Sequence, residues 1–205
     1  MATPAPVLPV SVDDYLAGEL TSKVRHEYVD GEVYAMVGAS TEHNLITGNV
    51  FAVLHAHMRG TPCRVFMSDM KVRVQFGQIE RFYYPDVQVC CDPADRERYF
   101  RTRPRLIVEV LSTHTEREDR SRKFHAYKRL DSLQEYILIA QDCRRVEVYR
   151  RQNHWNRSEI HENDQDVKLE SLDLTLPIAV IYEGVELEQT RPAGETDSQH
   201  PPFTK

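Results

Sequence analysis

No apolar run in the 205 residues approaches the length of a membrane span, and the start, Met-Ala-Thr-Pro-Ala-Pro, lacks a basic segment followed by an apolar one. A membrane or secreted protein is therefore not expected, and a cytoplasmic one is. Cysteine is sparse: Cys63, Cys90, Cys91 and Cys143 show no paired CxxC spacing. Adjacent Cys90 and Cys91 would point to opposite faces of a strand, and in a cytosolic chain all four read as core thiols rather than zinc ligands. Only 8 glycines are present, with no Gly-rich phosphate loop, no GxSxG elbow and no HExxH pair. Basic residues are in deficit, and a net charge of −6 supplies no wholesale attraction to nucleic acid or lipid. No internal repeat is visible. What remains is an ordinary composition long enough for one domain with a substantial core.

The chain reads as alternating elements. Residues 1–10, rich in Pro and Ala, are expected to form a flexible leader, and 188–205 a disordered tail. Ser11 followed by Asp14 marks a helix start ending near Gly18. Asp30-Gly31 between two alternating runs marks a hairpin, and 40–59 reads as one long helix stopped by Gly60. Strands are expected over 63–67, 70–76, 82–91, 105–112, 134–140 and 144–150, with a further one within 155–160. Pro85 within 82–91 requires a strand end, an edge or a bulge, because proline has no N–H for the ladder.

Arg105–Ser112 carries Leu, Ile and Val on both pleat faces, as a strand covered on both sides does. Glu109 shares a face with Ile107 and Leu111. A carboxylate buried there is protonated, paired or bound to a cation. In the helix expected from 115 or 116 to 130, Lys123, Ala126, Tyr127 and Leu130 share the face that packs on the sheet, at about 100° per residue. Lys123 could snorkel outward or pair with Asp119 one turn earlier. Asp86 adds a second carboxylate on a neighbouring strand. Two such groups repel unless a positive charge lies between them, and a divalent cation with oxygen ligands meets that need.

Tyr84-Pro85-Asp86, then Glu109-Val110-Leu111-Ser112, then Lys123 and Tyr127 on the following helix resemble the Uma2 family of restriction endonucleases, part of the PD-(D/E)xK nuclease-like superfamily. The Glu27 to Glu32 hairpin, the His43-Asn44 helix start and Glu135-Tyr136 extend the resemblance over about residues 11–187. It implies an α/β fold, a restriction-endonuclease-like mixed sheet flanked by helices. It implies Asp86 and Glu109 as ligands of Mg²⁺ or Mn²⁺, the Val110 carbonyl as a third, and Lys123 as the catalytic amine. Glu27 and His43 would support the site, although a solvated hairpin charge and a locally bonded imidazole are the plainer readings. Ser112 would bond a site carboxylate or simply begin a turn; Tyr127 would orient Lys123 or pack. The superfamily pattern puts lysine two residues after the glutamate, where this chain has Leu111, so the resemblance implies that the amine has moved to the helix.

Arg96, Arg98, Arg101, Arg103 and Arg105 lead into the Glu109 strand, and Arg117, Arg120 and Arg122 follow it. Arg101, Arg103 and Arg120 are candidate phosphate contacts, against a solvated surface neutralised by interleaved acids. The expected function is a metal-dependent endonuclease acting on DNA, as a homodimer and with no membrane partner. Two alternatives stand beside it: a nuclease-like binding module without hydrolysis, and a structural homo-oligomer pairing through strands such as Arg144–Arg150.

Overall fold

A computed structural model describes residues 9–156, 158–163 and 165–187; the leader to residue 8 and the tail from 188 lie outside them. Helix α1 (Val12–Glu19) is capped by Ser11, whose hydroxyl accepts from the Asp14 N–H at 3.1 Å. The hairpin β1 (His26–Val29) and β2 (Glu32–Ala35) turns at Asp30 and Gly31, both at positive φ (52° and 100°), as the primed two-residue turn requires. Val10 is tied to this turn: its N–H donates to the Gly31 carbonyl at 2.9 Å. Helix α2 (Thr41–His57) follows, then β3 (Arg64–Met67), β4 (Lys71–Phe76), β5 (Ile79–Tyr83) and β6 (Val87–Cys90). A two-residue strand β7 (Phe100–Arg101) precedes the long β8 (Pro104–Leu111).

The stretch expected as one strand over 82–91 is two. Its first half, β5, belongs to a five-stranded sheet of order β2-β1-β5-β4-β7; its second half, β6, lies in a six-stranded sheet. Tyr84-Pro85-Asp86 is the hand-over between them. Pro85 cannot donate to either ladder, so the break falls where continuing the strand would cost a hydrogen bond. The mixed α/β fold expected from the sequence is present, with its strands distributed over a five-stranded, a six-stranded and a small two-stranded sheet.

After β8 the chain turns through one helical stretch in three parts: α3 (Glu116–Glu118), a π-turn over Asp119–Lys123, and α4 (Phe124–Tyr127). It then enters β9 (Glu135–Ala140), parallel to β8, and β10 (Arg145–Arg150), antiparallel to β9. Strand β11 (Ser158–Glu162) pairs on the far side of β10, giving the order β11-β10-β9-β8-β6-β3. β10 is therefore an inner strand. Pairing between subunits through Arg144–Arg150 is ruled out, because both of its ladders are already occupied. β12 (Asp166–Leu169), β13 (Leu174–Pro177) and α5 (Ile178–Ile181) complete the fold.

The six-stranded sheet is the middle layer. On one face Leu106, Val108 and Val110 of β8 pack with Ile46, Val50 and Leu54 of α2 and with Ile178 and Ile181 of α5. On the other, Ile107 and Leu111 pack with Ala126 and Tyr127 and with Val72, Val74 and Tyr83 of the five-stranded sheet. Strand β8 is covered on both faces, and Glu109 points into the second of these layers.

The four cysteines are not all thiols. Cys63 and Cys91 form a disulfide, while Cys90 remains a buried thiol and Cys143 a half-buried one. Antiparallel pairing of β3 with β6 sets Arg64 opposite Cys90, so Cys63 and Cys91 face each other one step beyond the last registered pair. Spacing along the chain could not show this. Among the described residues no helix is long and apolar enough to cross a membrane.

Candidate active site

Asp86 lies at the hand-over, just before β6. Its Oδ2 accepts from the Val110 N–H of β8 at 2.7 Å and lies 3.3 Å from His43 Nε2 on α2. The Asp86 N–H in turn donates to Glu109 Oε2 at 3.3 Å. Asp86 and Glu109 are thereby fixed to one another through the backbone of adjacent strands. Antiparallel register, Val87 opposite Val108, is what brings them level.

Glu109 is 2 % exposed. Its Oε1 accepts from Tyr127 Oη at 3.1 Å and from Lys123 Nζ at 3.4 Å. Lys123 Nζ also lies 3.1 Å from Glu27 Oε1 and 3.1 Å from Asp119 Oδ1. One ammonium therefore meets three carboxyl groups, from β1, from β8 and from its own helix. Burial drives the Glu109 carboxyl well above the usual glutamate range; Lys123 opposes this, and the charges of Asp119, Asp86 and Glu27 reinforce it. Asp119 is raised for the same reason, with burial outweighing Lys123 and a hydrogen bond from Thr115. The ammonium is raised as well: burial disfavours its charge, but Glu109, Glu27 and Asp119 together hold its pKa well above the usual lysine value. Burial also opposes charge on His43, yet the Asp86 carboxylate and the Val110 carbonyl overcome it and raise the imidazole.

Of these groups, His43, Asp86, Glu109, Asp119 and Lys123 line a cleft of about 640 Å³. Asp86, Glu109, Asp119 and Lys123 form its floor with Tyr84; Met36, Val37, Gly38 and Ala39 form a lip of low polarity. Ser112 also lines it, but its hydroxyl is engaged with Thr115 Oγ1 at 3.0 Å and accepts from the Thr115 N–H, so it starts the turn into α3.

The structure thus brings together Asp86, Glu109, Lys123, Glu27, His43 and Tyr127. It does not bring the three arginines to them. The Arg101 guanidinium is buried and donates to the carbonyls of Asp95 and Glu97. Arg103 pairs with Asp92 at 2.6 Å, and Arg120 forks onto Glu147 with two bonds of 2.8 Å while also holding Glu116. Sequence reasoning offered Asp119 only as a partner for Lys123; it is a full member of the cluster. Its signal was the i, i+4 spacing to Lys123 in a helix otherwise facing the core. Gln141, at the end of β9 on the cleft wall, had no signal at all.

The model of the family described as "Putative restriction endonuclease", Uma2, matches residues 12–179. The chain belongs to the Uma2 family. Two uncharacterized proteins of Synechocystis sp. resemble it: slr1290, 35 % identical over 88 % of this chain and 95 % of that one, and sll1609, 36 % identical over 67 % and 78 %. The crystal structure of a "putative nuclease belonging to DUF820" from Anabaena variabilis superposes with a TM-score of 0.70 over 87 % of this chain and all of that one, at 21 % identity. That likeness shows the fold that this Uma2 chain shares: mixed α/β, with sheets flanked by a few helices.

The donor set suits a hard divalent cation. Four carboxyl groups, Glu27, Asp86, Glu109 and Asp119, face one lysine and one histidine, so oxygen donors outnumber cationic groups around the site. Glu109 stays driven toward its neutral form because Lys123 does not offset its burial. Among the described residues no three His, Cys, Asp or Glu side chains already converge as a ligand cage. Magnesium needs none: it binds through one or two carboxylates and keeps its waters or takes substrate oxygens.

Proposed function

We propose that the protein is a metal-dependent endonuclease that hydrolyses DNA phosphodiester bonds, with Mg²⁺ or Mn²⁺ held by Asp86 and Glu109 and by the Val110 carbonyl. The observation that carries this reading is the coupling of Asp86 to Glu109 at 3.3 Å, with the Lys123 ammonium 3.4 Å from the same glutamate. When bound, the cation supplies positive charge for the reacting phosphate and acidifies water. The chain's own groups do the rest. His43 and the Val110 N–H fix the Asp86 carboxylate, and Tyr127 fixes Glu109. Lys123, kept protonated by three carboxyl groups, serves as a fixed positive charge and not as a base. Glu27 and Asp119 hold that ammonium on the floor of the cleft.

Asp86→Ala and Glu109→Ala are each expected to abolish cleavage of plasmid DNA and to remove the Mn²⁺ heat in isothermal titration. A variant that cuts at the wild-type rate sinks the assignment. A second reading, binding without hydrolysis, is favoured by Leu111 standing where the superfamily has its lysine. Absence of metal binding at millimolar Mg²⁺ or Mn²⁺ in the wild type would select it.

A further inference from the structure

His43, Tyr84, Asp86, Glu109, Asp119 and Lys123 share the wall of the cleft with one further titratable side chain, His114. The first six are all committed. Tyr84 Oη donates to Glu19 at 2.6 Å and accepts from Lys71 at 3.2 Å. His43 is held by Asp86, while Glu109 and Asp119 share Lys123 with Glu27. Of the seven, His114 alone is exposed. Its imidazole has no hydrogen bond, ion pair or ring contact among the described residues.

The backbone that carries it is fixed. Thr113 and His114 are the middle residues of a turn in which the Thr115 N–H donates to the Ser112 carbonyl at 3.2 Å, with the Glu116 N–H on the same carbonyl at 2.9 Å. The Thr115 carbonyl accepts from the Asp119 N–H at 2.9 Å. One end of the turn therefore continues β8, which bears Glu109, and the other is bonded to the residue that pairs with Lys123.

Hydrolysis of a phosphodiester needs a proton for the departing sugar oxygen, because an alkoxide leaves poorly. Lys123 does not supply it, since three carboxyl groups hold its proton in place. Glu109 and Asp119 are buried, away from the solvent that would have to replace a spent proton at each turnover. Imidazole exchanges its proton near neutral pH and is the commonest side chain in this role. Its charged form is a cation, which a cleft lined by three carboxyl groups does not repel.

We infer that His114, given the phosphodiester reading above on which this assignment rests, is the general acid that protonates the leaving sugar oxygen. A water oxygen bonds to phosphorus while the bond from phosphorus to the sugar oxygen breaks. The electron pair of that bond stays on the sugar oxygen, which takes the proton of the His114 imidazolium. The proton lost by the water passes to solvent, and solvent returns one to the neutral imidazole.

The test uses the full chain with Mn²⁺ and two substrates. Plasmid DNA has a sugar alkoxide as its leaving group; thymidine 5′-(p-nitrophenyl phosphate) releases a nitrophenolate, which departs without a proton. His114→Ala is expected to slow plasmid cleavage about 100-fold or more, the contribution of a positioned proton donor, and to slow the ester far less. Equal losses on both substrates, or wild-type rates on both, overturn the inference and leave the nuclease reading intact. If the wild type cuts plasmid but not the ester, free imidazole added to His114→Ala decides: recovered plasmid cleavage supports the assignment, and no recovery overturns it. A wild type that does not cut plasmid removes the nuclease reading, and His114 as its acid with it.

Discussion

At the scale of the residue, Glu109 sits where burial favours its neutral form. Its folded pKa is raised above the ordinary glutamate value of 4.5, so the native state holds a proton that the unfolded chain releases. Stability from this group is therefore present at low pH and falls as pH rises above 4.5 toward the folded value. Glu109→Gln, which cannot ionise, is expected to flatten that fall and to be more stable than the wild type at pH 7 in EDTA. Urea melts at several pH values measure it; a variant whose stability follows the wild-type curve would contradict the pKa assignment. This residue was legible in the sequence because a single acid interrupted an apolar run. Lys123 was legible because it stands three and four residues before Ala126 and Tyr127, which are buried with it. His114 was not, since an imidazole in the polar stretch after β8 gives no hint that it faces the cleft.

At the scale of the element, the 82–91 stretch and the cysteines show where reading along the chain runs out. Pro85 announced an irregularity, yet whether it bends one strand or ends two depends on a second sheet made by residues far away. The pairing of Cys63 with Cys91 depends likewise on β3 and β6 lying side by side, 28 residues apart in sequence. Closing a loop of that length removes chain entropy from the unfolded state worth about 3.5 kcal/mol. Cys63→Ser, or reduction with dithiothreitol, is expected to lower the unfolding free energy by about 2–4 kcal/mol without changing the far-ultraviolet spectrum. An unchanged urea midpoint would mean that the bond does not form in solution. The first hairpin and the long helix, by contrast, were legible because their signals are local: Asp30-Gly31 for a turn and Gly60 for a stop.

At the scale of the whole molecule, the site lies between layers. Glu27 comes from the five-stranded sheet, Asp86 and Glu109 from the hand-over and the six-stranded sheet, and Lys123 from the helix between them. Lys123→Met takes the shared ammonium from Glu27 and from the buried Glu109 and Asp119. Breaking such a cluster from one side is expected to cost about 3–5 kcal/mol, measurable as a lowered urea midpoint at pH 7. A loss below about 1 kcal/mol, the range of exposed pairs, would show that the ammonium is not the joint between layers.

The hand-over at Tyr84-Pro85-Asp86 then acquires a mechanical meaning. The two sheets are joined there by covalent chain, packed together by Ile107 and Leu111 against Val72, Val74 and Tyr83, and tied across the cleft floor by one ammonium that holds an acid from each. The ionic tie answers to charge; the packing does not. Whatever draws Glu109 away from Lys123 loosens that tie and leaves the apolar layer, and the bond from the Val110 N–H to Asp86, in place.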